Sequence, residues 1–219
     1  MYLIVLIHEL GHITMALIFK YKIIKINIYP FGGYTIFESN INTPFKSEFM
    51  VFLGGILFQT IFFIITKQVM DNSSYIYKLI ENYNTSILMF NLIPIMPLDG
   101  GKLINILLNK ILPFKKSHIF TIYISYIFIL VLLIFSLKNI NLLLMIILLL
   151  ILLIKEHKRH NLIFNMFLIE RYIKNITFKN INFIKKNNLK YMKKYKKNIF
   201  IINNKYIDEK EMMINRFNY

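Results

Sequence analysis

Cysteine and tryptophan are both absent from the 219 residues of this chain. Without cysteine there is no disulfide framework, no thiolate nucleophile and no thiolate metal ligand, so a bound metal must be held by histidine and carboxylate side chains. Acidic residues are scarce as well, since 11 Asp and Glu stand against 27 Lys and Arg. The candidate metal ligands are therefore confined to the five histidines and these 11 acidic residues.

Charged residues make up only 17% of the chain, whereas 56% of the residues are hydrophobic and the mean hydropathy is +0.52. An ordinary soluble domain is about half apolar and about a quarter charged. A soluble fold of this length could not bury so much Ile, Leu and Phe, so the excess must contact lipid or other apolar helices. The composition predicts an integral membrane protein.

The positive charge is concentrated towards the C-terminus. Residues 155–219 hold 16 Lys and Arg against 5 Asp and Glu, and they contain no Pro or Gly. Beside a bilayer, this pattern predicts a cytoplasmic segment attracted to anionic headgroups, and nucleic acid is not an expected partner. We expect a membrane domain over residues 1–154 and a basic cytosolic tail over 155–219, either a small α+β appendage or a partly disordered arm.

Hydrophobic runs predict an all-α polytopic fold with about five transmembrane helices, at residues 1–19, 49–66, 85–112, 119–137 and 140–154. Residues 71–84 are predicted to be a polar connection. Between the first two spans, Pro30, the Gly32-Gly33 pair and Pro44 predict a re-entrant, β-hairpin-like loop. Gly54 and Gly55 in the second span are expected to allow a close helix contact.

The first span contains His8-Glu9-Leu10-Gly11-His12, an H-E-x-x-H pattern. Residues four apart share one face of a helix, so His8 and His12 can ligate one metal while Glu9 lies beside them. Zinc makes a water acidic, and Glu9 is placed to accept and redeliver its proton during amide hydrolysis. Ionisable groups at membrane depth are costly unless they are paired or ligate a metal, which favours a functional site.

Asp99 is the predicted third zinc ligand. It follows Pro94 and Pro97 and precedes Gly100-Gly101, so it lies where the third span must open. Such openings are tolerated where they line a cavity. The alternatives are that Asp99 only caps a helix or that Glu38, in the polar loop, is the third ligand instead.

Other polar residues have two interpretations each. Asn91 could donate to the substrate carbonyl or only satisfy backbone opened by the prolines. Gln59 on the second span is expected to bond across helices rather than at the site. The remaining histidines are expected to be solvated, near interfaces or in the tail; they are His118, His157 and His160.

HELGH in the first span and NLIPIMPLDGGK in the third together resemble the site-2 protease family of intramembrane metalloproteases, peptidase family M50. Further runs, YPFGGYT, LPFKKSH and FLIERY, are similar to the sporulation branch of that family. The resemblance covers residues 1 to about 172. The family usually has one more span before the motif, whereas seven residues precede His8 here.

The resemblance implies Zn²⁺ on His8, His12 and Asp99 and catalysis by Glu9, with Asn91 supporting the site or contacting substrate. It also implies that an extended substrate meets the loop containing Phe31, Gly32 and Gly33. In the sporulation branch the substrate is a membrane-tethered pro-sigma factor, cleaved during endospore formation in the bacterial cell membrane and restrained by inhibitory membrane partners. The tail is short for the nucleotide-sensing CBS domain of that branch, so at most a reduced CBS-like region is expected.

Two other functions remain open at this point. The same protease could act on anti-sigma factors or remnant signal peptides, although the lack of a PDZ-like insertion between spans disfavours relatives that use one. A non-catalytic metal-binding membrane scaffold could use the same His and Asp residues. An intact Glu9 disfavours the scaffold, because metal binding alone does not need that base.

Overall fold

The computed structural model describes residues 1–21, 23–29, 32–37, 41–136 and 139–217. Its helices and strands follow in chain order: α1 Tyr2–Ile18, β1 Ile23–Tyr29, β2 Gly32–Phe37, α2 Phe45–Val69, α3 Tyr75–Leu92, α4 Asp99–Ile111, α5 Phe114–Ser136, α6 Ile140–Ile173, β3 Ile181–Ile184, a 3₁₀ turn Leu189–Tyr191, β4 Lys197–Ile202, β5 Lys205–Asp208 and α7 Glu209–Phe217. The chain divides into an N-terminal unit, residues 1–40, 46–93 and 98–103, and a C-terminal unit, residues 41–45, 94–97 and 104–219.

Among the residues that the structure describes, three helices are long and apolar enough to cross a membrane, namely α2, α5 and α6. Each contains an 18-residue apolar stretch, and α1 is a shorter apolar helix of 17 residues. Most of the apolar surface of these helices is exposed in the isolated chain, which suits contact with lipid. The protein is therefore an integral membrane protein, as the composition predicts.

In the N-terminal unit, β1 and β2 form an antiparallel hairpin in which Ile28 pairs with Gly33 and Tyr29 pairs with Gly32. The hairpin lies beside α1. A hairpin was predicted for this segment, although the turn residues Pro30 and Phe31 lie outside the described part of the chain. Whether the segment re-enters the membrane stays a prediction.

The region expected to be a third span with an internal break consists of two helices, α3 and α4. The helix α3 begins at Tyr75, with the Ser74 hydroxyl accepting from the Tyr77 amide, so much of the predicted polar connection over residues 71–84 is helical. The sequence analysis predicted the polarity of this segment but not its helix, which an N-cap serine and few helix breakers favour. The predicted break is present, since residues 93–98 separate α3 from α4.

Ser125 satisfies part of the backbone opened at this break. Within the C-terminal unit, the Met96 amide donates to Ser125 Oγ at 3.0 Å, and this hydroxyl lies 3.4 Å from the Pro94 carbonyl oxygen. Ile95 and Met96 are buried, so their neighbouring polar groups need such partners. A side chain on an apolar helix thereby stabilises a non-helical segment.

The rest of the C-terminal unit combines the helix pair α5 and α6 with a small α+β appendage. Asn139 caps α6 by accepting from the amides of Asn141 and Leu142. The helix then continues to Ile173, through the predicted domain boundary after residue 154, and the division at that point stays a prediction. The appendage holds a three-stranded sheet in the order β3-β4-β5, with β3 parallel and β5 antiparallel to β4.

Arg171 on α6 links the appendage to this helix through hydrogen bonds. Its buried guanidinium donates to Glu209 Oε2 at 2.7 Å, to Asn42 Oδ1 at 2.7 Å, and to the carbonyls of Lys193, Lys194 and Lys196. A buried cation is tolerable only when it is paired and fully hydrogen-bonded, as it is here. The tail is thus a packed α+β appendage in its described residues, which is one of the two structures expected.

Candidate metal centre

Three predicted ligands come together inside the N-terminal unit. His8 and His12 lie four residues apart on α1, and Asp99 begins α4. All three side chains are buried, and their ligand atoms lie within 4.8 Å of one another. Among the described residues this is the sole cluster of three or more His, Cys, Asp or Glu that could hold a metal ion.

The imidazoles are held by hydrogen bonds at the nitrogens that face away from Asp99. His8 Nδ1 donates to Gln59 Oε1 at 2.9 Å, and His12 Nδ1 donates to the Val51 carbonyl oxygen at 2.8 Å. Gln59 is itself oriented, because its Nε2 donates to the Asn84 carbonyl at 2.9 Å and its Oε1 must then face His8. Both carbonyl oxygens only accept, so each imidazole carries a proton on Nδ1 and turns Nε2 towards Asp99, as the atom that could ligate a metal.

The two Nε2 atoms converge on the carboxylate of Asp99. Its Oδ2 lies 3.0 Å from His8 Nε2 and 2.9 Å from His12 Nε2, and the two Nε2 atoms are 3.1 Å apart. Three such polar atoms this close together need a proton or a metal cation among them. Tetrahedral zinc ligands at about 2.0–2.2 Å from the ion are about 3.3 Å apart. The donor set and spacing therefore fit a zinc ion.

The other oxygen of Asp99 has a different partner. Lys102 Nζ donates to Asp99 Oδ1 at 3.2 Å and lies 5.0 Å from the centre of the Phe52 ring. The hydrogen-bond partners of this carboxylate among the described residues are thus two imidazoles and one ammonium group. Asp99 does not act as the helix cap that was considered as an alternative.

Glycines bring α1 and α2 close enough to form this site. A Cβ on Gly54 would lie 2.6 Å from the Gly11 carbonyl oxygen, so the two backbones touch where the second span was expected to allow it. A Cβ on Gly55 would lie 2.5 Å from His12 Nε2 and 2.7 Å from His8 Nε2. Gly55 therefore leaves open the space beside the metal-facing nitrogens.

Gly100 allows a similarly close contact at the break between α3 and α4. A Cβ there would lie 2.5 Å from the Ile93 carbonyl oxygen and would also overlap the Leu92 carbonyl. The first turn of α4 can thus pack directly against the end of α3, which places Asp99 at a fixed point. The Gly100 position explains why the sequence pattern needs a small residue directly after the carboxylate.

The remaining predicted site residues lie in several places. Glu9 follows His8 on α1 and is partly exposed, while Asn91 lies in the last turn of α3 and is also partly exposed. Gly32 and Gly33 begin β2. Phe31 and the alternative ligand Glu38 lie outside the described residues. The roles of Glu9, Asn91 and the hairpin glycines stay predictions.

Two expectations from the sequence were wrong. Gln59 does lie at the site, where it orients His8, and it was missed because a lone glutamine on an apolar helix has no sequence signature. His118 and His160 are buried rather than solvated, and they contact each other through their Nδ1 atoms at 2.9 Å. Lys102 was missed too, although its spacing of three residues from Asp99 on a helix could have indicated a pair.

Comparison with known proteins agrees with this geometry. The model of peptidase family M50 matches residues 1–71 and 61–135, more than half of the chain. Stage IV sporulation protein FB of Bacillus subtilis is 39% identical over 178 residues, covering 78% of this chain and 62% of that protein. A zinc metalloprotease of Methanocaldococcus jannaschii is 33% identical over 119 residues, covering 52% of this chain and 34% of that protein.

A solved structure gives the same result for the fold. The site-2 protease from Methanocaldococcus jannaschii superposes with a TM-score of 0.56 at 30% identity, covering 71% of this chain and 74% of that one. The chain spans less than two thirds of the length of the two curated relatives. Because the family model covers both the histidine motif and the Asp99 region, the chain belongs to peptidase family M50, the site-2 protease family of membrane metalloproteases.

Proposed function

We propose that this chain is a zinc-dependent endopeptidase that cleaves a membrane-associated protein, with His8, His12 and Asp99 as the metal ligands and Glu9 as the general base. The observation that carries the proposal is the convergence of the His8 and His12 Nε2 atoms on Asp99 Oδ2. A scaffold could use those three ligands, but it would have no need of a carboxylate next to His8. The names of two relatives, zinc metalloprotease and site-2 protease, support the same chemistry.

The ligand residues prepare the site before substrate arrives. Gln59 and the Val51 carbonyl keep the Nδ1 protons in place, so each imidazole is held with Nε2 facing Asp99. Lys102 holds Oδ1 of Asp99, which leaves Oδ2 for the metal. A zinc ion held there supplies Lewis-acid chemistry, polarising a peptide carbonyl and making a water acidic near neutral pH.

Glu9 moves the proton. Its carboxylate accepts a proton from the attacking water and passes it to the amide nitrogen, which leaves as an amine when the C–N bond breaks. The helix places Glu9 directly after His8, so both side chains belong to one rigid element. In this proposal the Asn91 amide donates to the substrate carbonyl, where negative charge develops during attack.

The substrate is proposed to bind in an extended conformation along the hairpin. The strand β2 is an outer strand of a two-stranded sheet and begins with Gly32 and Gly33, which let another backbone come close. Phe31, directly before them, is proposed to contact a substrate side chain. An extended peptide is the conformation in which a scissile amide is accessible from both faces.

The membrane arrangement is proposed to be the five-span topology of the sequence analysis, with the hairpin re-entering the bilayer. The membrane-capable helices α2, α5 and α6 supply three of these spans, and the apolar α1 and the broken α3–α4 segment supply the others. Basic residues 155–219 then lie in the cytoplasm, consistent with the positive-inside rule. In this proposal the membrane domain is residues 1–154 and the cytosolic tail is 155–219.

We further propose that the substrate is a pro-sigma factor cleaved during endospore formation, with inhibitory membrane proteins as partners. The similarity to stage IV sporulation protein FB, over 78% of this chain, supports a sporulation role. Anti-sigma factors and remnant signal peptides are the alternative substrates within the same family. They predict cleavage of a different membrane-anchored segment by the same residues.

Co-expression with a membrane-tethered pro-sigma factor tests the proposal. Glu9→Gln should reduce cleavage by about 10²- to 10⁴-fold, the range for loss of a general base, while retaining bound zinc. Glu211→Gln, a conservative change on an exposed residue of α7, serves as the matched control and should cleave normally. Equal cleavage by wild type and Glu9→Gln would remove Glu9 as the catalyst.

Two other outcomes separate the alternatives. Cleavage of an anti-sigma factor or a remnant signal peptide, but not of the pro-sigma factor, would change the substrate and keep the enzyme. Full zinc loading with no cleavage of any of these candidates would favour the metal-binding scaffold.

A further inference from the structure

Three lysines gather around Tyr191 in the C-terminal unit. Lys186 Nζ donates to the Tyr191 hydroxyl at 3.3 Å and lies 4.8 Å from the ring centre, while Lys116 Nζ lies 5.3 Å from the same centre. The hydrogen bond and charge of Lys186, with the charges of Lys116 and Lys190, lower the pKa of Tyr191 from its ordinary value. We call Lys116, Lys186 and Lys190 the Tyr191 lysine cluster.

The fold, not the sequence, assembles this cluster. The Phe114 amide at the start of α5 donates to the Met192 carbonyl at 2.9 Å. This hydrogen bond holds the 3₁₀ turn Leu189–Tyr191 next to the start of α5. Phe114, Leu189 and Met192 are buried in the same apolar core. Within the part of the chain that the structure describes, no carboxylate pairs with any lysine of the cluster.

The helix below the cluster has one continuous apolar face. Lys116 shares this face with five residues that lie four, seven, 11, 14 and 18 positions further along the helix. These large apolar or aromatic side chains are between 50% and 69% exposed; they are Phe120, Tyr123, Ile127, Leu130 and Ile134. The 23 residues of α5 include an 18-residue stretch apolar enough for a membrane span, so the helix is long enough to cross the bilayer core. Lys116 therefore lies at headgroup level, directly above a face suited to acyl chains.

We propose that the Tyr191 lysine cluster binds the phosphate of an anionic phospholipid whose acyl chains lie along the exposed face of α5. Uncompensated positive charge over an apolar surface matches a molecule with a phosphate above hydrocarbon. The Tyr191 hydroxyl, held by Lys186, adds a neutral group able to hydrogen-bond a phosphate oxygen. Such a lipid would hold the appendage to the membrane end of α5.

Lipid binding can be measured separately from proteolysis by using the full chain with Glu9→Gln in detergent micelles. Native mass spectrometry would follow titration with dioleoyl phosphatidylglycerol, and with dioleoyl phosphatidylcholine as the zwitterionic comparison. Lys116→Gln/Lys186→Gln should weaken phosphatidylglycerol binding about thirtyfold, since each basic residue near an anionic lipid contributes a factor of about five. Lys179→Gln/Lys205→Gln removes the same charge from exposed positions outside the cluster and should bind normally.

Three results would overturn the proposal. Equal weakening in the two double variants would assign binding to net charge alone. Equal binding of phosphatidylglycerol and phosphatidylcholine by wild type would show that negative charge is not recognised. Displacement of the lipid by millimolar inorganic phosphate would assign the cluster to a soluble phosphate instead.

Discussion

Two groups in the described part of the molecule are made of the same side chains, two histidines and one carboxylate, but they differ in geometry. In the first, His8 and His12 converge on Asp99. In the second, on α5 and α6, His118 lies between His160 and Glu156. Composition alone would rate the two groups equally as metal sites. The two groups differ in geometry, because only in the first do two ring nitrogens converge on one carboxylate oxygen.

In the second group the polar atoms satisfy one another in a row. His118 Nδ1 lies 2.9 Å from His160 Nδ1, and its Nε2 lies 3.2 Å from Glu156 Oε1 on the opposite side of the ring. The two imidazoles stack with centroids 5.1 Å apart and 15° between their planes. Because the three residues do not direct their ligand atoms to one common position, the group is a polar network that joins α5 and α6.

The largest expected effect is a loss of zinc from the first group alone. His8→Ala removes a ligand whose orientation the fold already fixes, so zinc affinity should fall by more than about 100-fold and cleavage should be lost. His118→Ala should keep one zinc per chain, because its ring nitrogens face His160 and Glu156. Metal analysis of the two purified variants beside wild type measures the difference.

A folding control is needed, because both changes leave buried space. Glu156→Gln alters the second group without changing its volume, so it should keep both the fold and the zinc. Monodisperse elution and an unchanged helical circular dichroism spectrum would show that each variant is folded. Full zinc stoichiometry in a folded His8→Ala protein would contradict the assignment.

Adding a methyl group at Gly55 should lower zinc affinity about as much as His8→Ala does, although all three ligands remain. The new Cβ would lie 2.5 Å from His12 Nε2, and both imidazoles are held from behind at Nδ1 and cannot easily move away. We expect Gly55→Ala to lower zinc affinity by about 100-fold. Ile56→Ala, one residue later and only partly buried, is the control, and equal zinc loss in both would point to general damage to α2.

Much of the metal centre follows from the sequence because its spacing is local. Residues four apart on a helix must share a face, so His8 and His12 could be paired without a structure. The break around Pro94 and Pro97 could also be predicted, because proline removes amide donors and polar backbone cannot face lipid. Asp99 could then be placed at the opened point.

What the sequence could not supply are contacts between helices. The position of Gln59 behind His8 depends on the register of α2 against α1, which Gly11 and Gly54 set by backbone contact. No periodicity encodes that register. His118 and His160 were expected to be solvated for the same reason, since their burial depends on how α5 packs on α6. The length of α6 was underestimated because its apolar run ends well before its helical hydrogen bonding does.

A smaller effect should follow from removing the support behind His8. Gln59→Leu keeps the approximate volume but removes the acceptor for Nδ1–H, so the imidazole loses its fixed tautomer and orientation. Zinc affinity should fall between about 10-fold and 100-fold. Thr60→Ala on the next, exposed position should leave zinc binding unchanged. Competitive zinc titration with a coloured chelator measures both, and an unaffected Gln59→Leu would show that the orientation comes from packing alone.

The smallest expected effect concerns Lys102, which pairs with Asp99 at 3.2 Å, closer than the corresponding Arg159–Glu156 contact of the second group at 3.9 Å. Its ammonium group pairs with Asp99 Oδ1, but its side chain is 26% exposed and the pair is partly screened. Lys102→Met should therefore weaken zinc binding only about two- to fivefold, because the carboxylate can then rotate between its two oxygens. Lys102→Arg keeps the charge and should restore wild-type affinity in the same titration. If the methionine and arginine variants weakened zinc equally, the shape of the lysine, and not its charge, would be what holds Asp99 in place.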